Sequence, residues 1–280
     1  MIDRTFIIRR FVRRWTPDEL RAMLALPGPR GRAVRAFAGW LSRGSFYVMF
    51  GRGSGLRLSL SGIPLHHAHL GMLAIGDIEA PVQDAMIRHV TKGGVFYDIG
   101  ANVGFFALLG AHYVGLDDGQ VYAFEPAPDN AAEIRANVAL NGLPNVTVLE
   151  QAVGAQAGTG RLQVVADQSW SKLVETGDHP QTERVMDIEV VAIDELVATG
   201  AIAPPTAVKI DVEGFEVAVL QGMRATLERH RPVVICELHG TQDDVAGLLR
   251  KAGYRLVNLE VPEDPVGAAG VADHVLAVPD

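Results

Sequence analysis

Asp98-Ile99-Gly100-Ala101-Asn102-Val103-Gly104 places a carboxylate, an amide and two glycines between the apolar run Val95 to Ile99 and a second apolar stretch from Phe105. Glycine at such a strand-to-helix turn permits positive φ and lets a ligand approach the backbone. About twenty residues on, Glu125 closes the run Val121-Tyr122-Ala123-Phe124, the place where a carboxylate can accept both ribose hydroxyls of an adenosine. The pair points to a nucleoside cofactor.

What the loop lacks narrows the choice. A dinucleotide fold places Gly-x-Gly-x-x-Gly under the pyrophosphate at a helix N-terminus, whereas here Asn102 stands at the second glycine position and no third glycine follows at the required spacing. Asp98 would repel a pyrophosphate but can hold a ligand ammonium, directly or through water. S-adenosylmethionine, with an adenosine at one end and an amino acid at the other, meets both requirements.

A second group of reactive residues closes later strands. Asp211 ends the run Ala207 to Ile210, with Glu213 two residues on, and Glu237-Leu238-His239 ends the run Val233 to Cys236. Residues two apart on an extended segment share a face, so Glu237 and His239 can point together toward Asp211 and Glu213. Methyl transfer from a sulfonium is an in-line displacement that needs an oriented, more nucleophilic acceptor. Three readings of the four residues stand open: a divalent metal site, with Mg or Mn suited to the carboxylates and a mixed His site also accepting Zn; His239 as general base oriented by Glu237, without metal; or structural pairing of Glu213 and Glu237 with turn amides, Lys209 or Arg224.

These residues resemble FkbM-type methyltransferases. The resemblance rests on Phe96 to Gly104, Phe124-Glu125-Pro126 and Lys209-Ile210-Asp211-Val212-Glu213-Gly214-Phe215-Glu216, with Gly76-Asp77-Ile78-Glu79 and Val191 to Leu196 also similar to that family's pattern. It implies an α/β, class I (Rossmann-like) fold with Asp98, Gly100, Asn102 and Gly104 around the methionine part and Glu125 on the ribose, Pro126 shaping that turn. By the same analogy Gln151-Ala152-Val153, centred on Ala152, flanks the adenine, and Asp211 borders both cofactor and acceptor. The implied reaction is O-methylation of a small metabolite, a saccharide or glycolipid first, a polyketide-like compound second. An NAD-dependent sugar-nucleotide oxidoreductase and a non-catalytic binding module are the rivals from other classes.

The elements that must position these residues follow from periodicity. From Pro81 onward strands alternate with helices, predicting a mostly parallel sheet, and Arg255 to Leu259 with Asp273 to Val278 suits an antiparallel edge. Helices are expected near Pro81 to His89, Asn130 to Leu140, Phe215 to Glu228 and Asp243 to Lys251. Between about 160 and 195 an insertion with strand-like Arg161 to Val165 and Asp187 to Ala192 can cover the pocket; it carries Trp170, Ser171, Lys172 and His179 as residues that could face an acceptor. Residues 1–75 read as an N-terminal accessory region, with a capping box at Thr16-Pro17-Asp18-Glu19, a helix over Arg32 to Ser42, and a hairpin of Phe46 to Phe50 with Leu56 to Leu60. Residues 76–280 form the cofactor-binding domain. The loop Gly51-Arg52-Gly53-Ser54-Gly55 is not a phosphate site, because a strand rather than a helix follows it. His66-His67-x-His69 and His230 read as solvated or capping.

Charge is uneven. Met1 to Arg57 holds twelve Arg and three acidic residues, about +9, leaving about −17 on the rest of a 280-residue chain of net charge −8. An acidic body repels a phosphate backbone and argues against nucleic acid. The basic front suits a solvated face, docking on the same or a second subunit as in a homodimer, or an anionic surface such as a membrane. Cys236, the single cysteine, lies in an apolar run, which excludes an intrachain disulfide and favours a reducing, cytoplasmic compartment. Arg9, Arg10, Arg13 and Arg14 interrupt the only apolar start, so no membrane span is expected.

Overall fold

The apolar runs pair as strands because each is short, rich in β-branched residues and bounded by turn residues. A computed structural model of the chain describes residues 22, 26–41, 45–48, 51–59, 73, 76, 78–165, 172–174, 182–263, 266 and 274–280. Its strands are β1 (Ser45–Tyr47), β2 (Arg57–Ser59), β3 (Val95–Ile99), β4 (Gln120–Phe124), β5 (Val146–Leu149), β6 (Ala152–Val153), β7 (Gly158–Val165), β8 (Lys172–Val174), β9 (Thr182–Val191), β10 (Ala207–Ile210), β11 (Val233–Glu237), β12 (Tyr254–Asn258) and β13 (His274–Pro279). Seven of them form one sheet in the order β12-β13-β11-β10-β3-β4-β5. All neighbours are parallel except β13, which runs antiparallel to both β11 and β12.

The chain winds outward from β3 to β4 and β5, then returns to lay β10 on the other side of β3. The crevice where the winding reverses therefore opens at the carboxyl ends of β3 and β10, the place where such sheets bind ligands. Side chains alternate across the sheet. Phe96 packs with the helices Ala80–His89, Phe105–Val114 and Pro128–Asn141, whereas Tyr97 and Ile99 pack with the helices Ile193–Ala198, Glu216–Gly222, Arg224–His230 and Gln242–Lys251 on the other face. Asp98 lies on the Phe96 face and is the register partner of Lys209 on β10; on β11 and β13, Glu237 and His274 are partners in the same way.

Two local details depart from the sequence reading. The helix expected over Phe215 to Glu228 is two helices separated by Met223 at φ −120°. Gly222 there sits so close to the chain at Gly154 that an added Cβ would lie 2.0 Å from its carbonyl oxygen. Lys209 does not pair with Glu213 or Glu237 but bonds Asp211 at 3.0 Å, and Arg224 bonds Glu228 one turn along its own helix at 3.0 Å.

The insertion forms a second sheet in the order β6-β9-β7-β8. The hairpin β1–β2 is present and is fastened to the helix Pro128–Asn141 by two asparagines one turn apart. Asn141 accepts from the Arg57 amide at 2.8 Å and donates to the Arg57 carbonyl at 2.6 Å; Asn137 does the same at Ser59, at 2.6 and 3.1 Å. Two side-chain amides thus stand in for a neighbouring strand along β2. Arg52 from the hairpin loop pairs with Asp84 at 3.0 Å, both side chains half exposed. The capping box at Thr16, the histidines at 66, 67 and 69, and Trp170, Ser171 and His179 lie outside the described residues. No helix among the described residues is long and apolar enough to cross a membrane.

Candidate active site

Two clefts meet at the winding reversal. The first, about 620 Å³, is lined by Gly100, Asn102, Glu125, Pro126, Ala152 and Leu162 among others. The second, about 770 Å³, is lined by Phe105, Phe106, Glu79, Lys209, Glu237 and His239. Gly100, Asn102, Asp211 and Glu213 belong to both. Gly100 holds this junction open only because it lacks a side chain: at φ +83° its Cβ would lie 1.8 Å from the Asp211 carbonyl oxygen. Asn102 also adopts a left-handed conformation, φ 51°, which non-glycine residues rarely take and asparagine tolerates best.

Glu125 has a duty the sequence did not reveal. Its Oε2 accepts the Asn102 amide at 2.8 Å, and its Oε1 accepts the Ala127 amide at 3.0 Å and the Asn130 side chain at 3.3 Å. The carboxylate ties the end of β4 to the loop, and by lone-pair count Oε2 retains capacity toward the cleft. Burial pushes its pKa up to about 7. Asp98 is fully buried and neither of its oxygens completes a hydrogen bond among the described residues; burial pushes its pKa up to about 6, against Lys209 and the Ala107 amide, which favour the carboxylate. A buried carboxylate without complete hydrogen bonding is costly, and a ligand ammonium would supply donors to it. The Asn102 Oδ1 and Asn130 Oδ1 atoms are likewise buried without partners among the described residues. This donor set fits the amino-acid and ribose ends of S-adenosylmethionine, and Ala152 and Val153 line the same cleft.

The second cleft concentrates charge. Lys209, 2% exposed, stacks its ammonium 4.6 Å from the Phe106 ring centre, bonds Asp211 and lies 4.0 Å from Glu79. Burial opposes its charge, but the carboxylates of Asp211, Glu79 and Asp98 outweigh burial and hold it protonated. Burial raises Asp211 to about 6 and Glu213 to about 7. His239 is anchored through Nδ1 to Glu216, fully buried, at 2.9 Å, so that Nε2 faces Glu237 at 3.4 Å and Glu213 at 3.5 Å. Burial lowers its pKa, yet Glu216, Glu237 and Glu213 together raise it to about 10.

All four residues expected at the reacting face are therefore brought together. Asp211, Glu237 and His239 each present a ligand atom within 4.8 Å of the others, a set able to hold a metal. Glu213 reaches His239. Sequence reasoning did not single out Glu79, Glu216, Glu260 or His274 as site residues. Glu79 and Glu216 lay inside the motifs; His274 and Glu260 carried no local signal, since β13 brings His274 in by running backward and Glu260 meets it from the end of β12.

A family model described as the methyltransferase FkbM domain matches residues 98–256, more than half of the chain. Hexuronic acid methyltransferase AglP of Haloferax volcanii is 31% identical over 177 residues, covering 62% of this chain and 69% of its own. 31-O-demethyl-FK506 methyltransferase FkbM of Streptomyces tacrolimicus is 30% identical over 226 residues, covering 68% and 84%. Among solved structures, methyltransferase FkbM from Methylobacillus flagellatus shares 20% identity at a TM-score of 0.43, over 66% of this chain and 43% of its own. With the matched motifs on the strand ends of a class I sheet, the chain belongs to the FkbM methyltransferase family and is an S-adenosylmethionine-dependent methyltransferase.

Proposed function

We propose that the chain methylates a hydroxyl of a small metabolite, a saccharide or glycolipid first. The observation that carries this reading is the junction of the two clefts at Gly100, Asn102, Asp211 and Glu213. A methionine moiety held at Asp98, with its adenosine between Glu125 and Ala152, lies at that junction, so the second cleft is the acceptor's side. The S-adenosylmethionine sulfonium supplies an activated methyl; the residues of the chain must orient the acceptor oxygen in line with it and take up the proton. Phe105 and Phe106 give the cleft an apolar floor on which a sugar face can stack, while the carboxylate wall accepts hydroxyl protons. The relatives' names give a hexuronic acid for one and 31-O-demethyl-FK506 for the other; a saccharide fits the many acceptors along this wall.

We further infer that Asp211, Glu237 and His239, with Glu213 beside them, hold a Mg or Mn ion. Such an ion would polarise the acceptor hydroxyl and lower its pKa. Glu216 fixes the ring so that Nε2 is presented, the arrangement that a second carboxylate gives a metal-binding histidine. Without the ion, Glu213 is the residue placed to receive the proton.

A panel of hydroxylated metabolites, saccharides first, scored by S-adenosylhomocysteine release, tests both points. Turnover is expected with a saccharide, and exhaustive chelation is expected to lower it at least tenfold, with recovery on adding Mn or Mg. Full activity after chelation would remove the ion from the reaction; turnover confined to amines would overturn O-methylation.

A further inference from the structure

Glu237 is faced by a second imidazole. His274, at the start of β13, is anchored through Nδ1 to Glu260 Oε1, while its backbone amide donates to Glu260 Oε2 at 3.1 Å. Its Nε2 is thereby aimed at Glu237 Oε2 and Glu79 Oε2, both at 3.6 Å. This repeats the arrangement on the other side, where Glu216 anchors His239 and Nε2 faces Glu237 Oε1 and Glu213 Oε2. The two carboxylate-anchored imidazoles thus bracket the two oxygens of a single glutamate.

The separations have a common meaning. Between 3.4 and 3.6 Å, these nitrogen–oxygen pairs are long for hydrogen bonds. They exceed by roughly half an ångström the ~2.9 Å edge between adjacent donors of an octahedral cation with bonds of about 2.0–2.1 Å, a gap that small side-chain rotations onto an ion would close. His274 is 9% exposed, and its Nε2, like Glu79 Oε2, is a buried atom with no hydrogen-bond partner among the described residues. Glu79 is held toward this point by a left-handed backbone, φ 45° and ψ 55°, at the N-cap of its helix. Its ligand atom, those of Glu237 and His274 all fall within 4.8 Å of one another. Charge points the same way: Glu79, Asp98, Asp211, Glu213, Glu216, Glu237 and Glu260 gather around one lysine and two imidazoles.

We propose that Glu79, Glu237 and His274 form a second divalent-cation position, bridged by Glu237 to the first at Asp211, Glu237 and His239. The bridged pair rests on the cation reading of the first position; the second position's own donors do not. Two cations sharing a carboxylate clamp an acceptor from both sides, so that vicinal hydroxyls, one on each ion, are the substrate feature the pair would select.

The test uses the full chain, stripped with a chelator and titrated with Mn²⁺ by calorimetry and electron paramagnetic resonance. Two equivalents with an exchange-coupled spectrum are expected. His274→Gln, and independently Glu79→Gln, is expected to reduce binding to one equivalent and leave an uncoupled six-line spectrum; circular dichroism and melting identify the variant that retains the fold. His239→Gln is expected to remove the other equivalent. One equivalent in the parent chain, unchanged by Glu79→Gln and His274→Gln, overturns the second position and leaves the first standing. Two equivalents that persist in both folded variants also overturn it, and no binding at all overturns both positions.

Discussion

Asp98 illustrates how a single side chain can oppose the fold while serving the ligand. Its pKa is raised by burial from 3.8 to about 6, so the folded state prefers the protonated acid, and that preference is fully present below about pH 4 and lost as pH rises through 6. Replacing it with asparagine removes the loss. Cofactor-free Asp98→Asn is expected to melt higher than the parent at pH 7, by on the order of 2 kcal/mol, with the curves converging near pH 4. In the same variant S-adenosylmethionine should no longer raise the melting temperature. Coincident melts at pH 7 would show that Lys209 already neutralises the group. The role of this loop was legible in the sequence because glycine chemistry is local: Gly100 and Gly104 do adopt φ of 83° and 86°. Asp211, Glu213, Glu237 and His239 were legible for a different reason, since they close parallel strands. Glu216 beneath His239 was not singled out, because an anchoring contact 23 residues apart depends on how a helix start meets a strand end.

At the scale of elements, the hairpin β1–β2 is held less by its own short ladder than by Asn137 and Asn141. Asn141→Ala removes both bonds to Arg57 and one to the Asn137 carbonyl at 2.7 Å. A loss of roughly 1–3 kcal/mol is expected in urea denaturation, together with faster hydrogen exchange at the Arg57 amide; unchanged exchange there would assign the hairpin's stability to Leu56 and Leu58 alone. Periodicity revealed the hairpin, the alternating strands and helices, and the antiparallel edge. It did not reveal the helix break at Met223, because Phe215 to Glu228 keeps one amphipathic pattern and the cause is the distant Gly154 backbone. Nor could it show that two asparagines on a helix continue a sheet, since their spacing of one turn is also that of an ordinary solvated face.

For the whole molecule, field matters more than any pair. The chain from residue 58 onward carries about −17, and the acceptor cleft has more carboxylates than bases along its wall. Clefts with low-dielectric walls focus such a field. An acceptor bearing a free carboxylate is therefore expected to show a higher KM than its neutral counterpart, with the difference shrinking several-fold between low salt and about 0.15 M, where the Debye length falls to ~8 Å. Steady-state kinetics on a matched pair, such as a hexose and its uronic acid, checks this; equal salt dependence would mean that bound cations already balance the wall.

The reversed direction of β13 bears on how such an enzyme can diversify. Parallel strands deliver their last residues to the crevice, so each is followed by a loop that must lead into a helix of the scaffold. β13 delivers its first residue, His274, held opposite Glu237 by a four-residue register with β11, and a slip of one position would present Val275 instead. Descendants of this chain can therefore exchange the segment entering β13 for one of another length or composition without rewiring the scaffold. The register with β11 is then what keeps the histidine opposite Glu237.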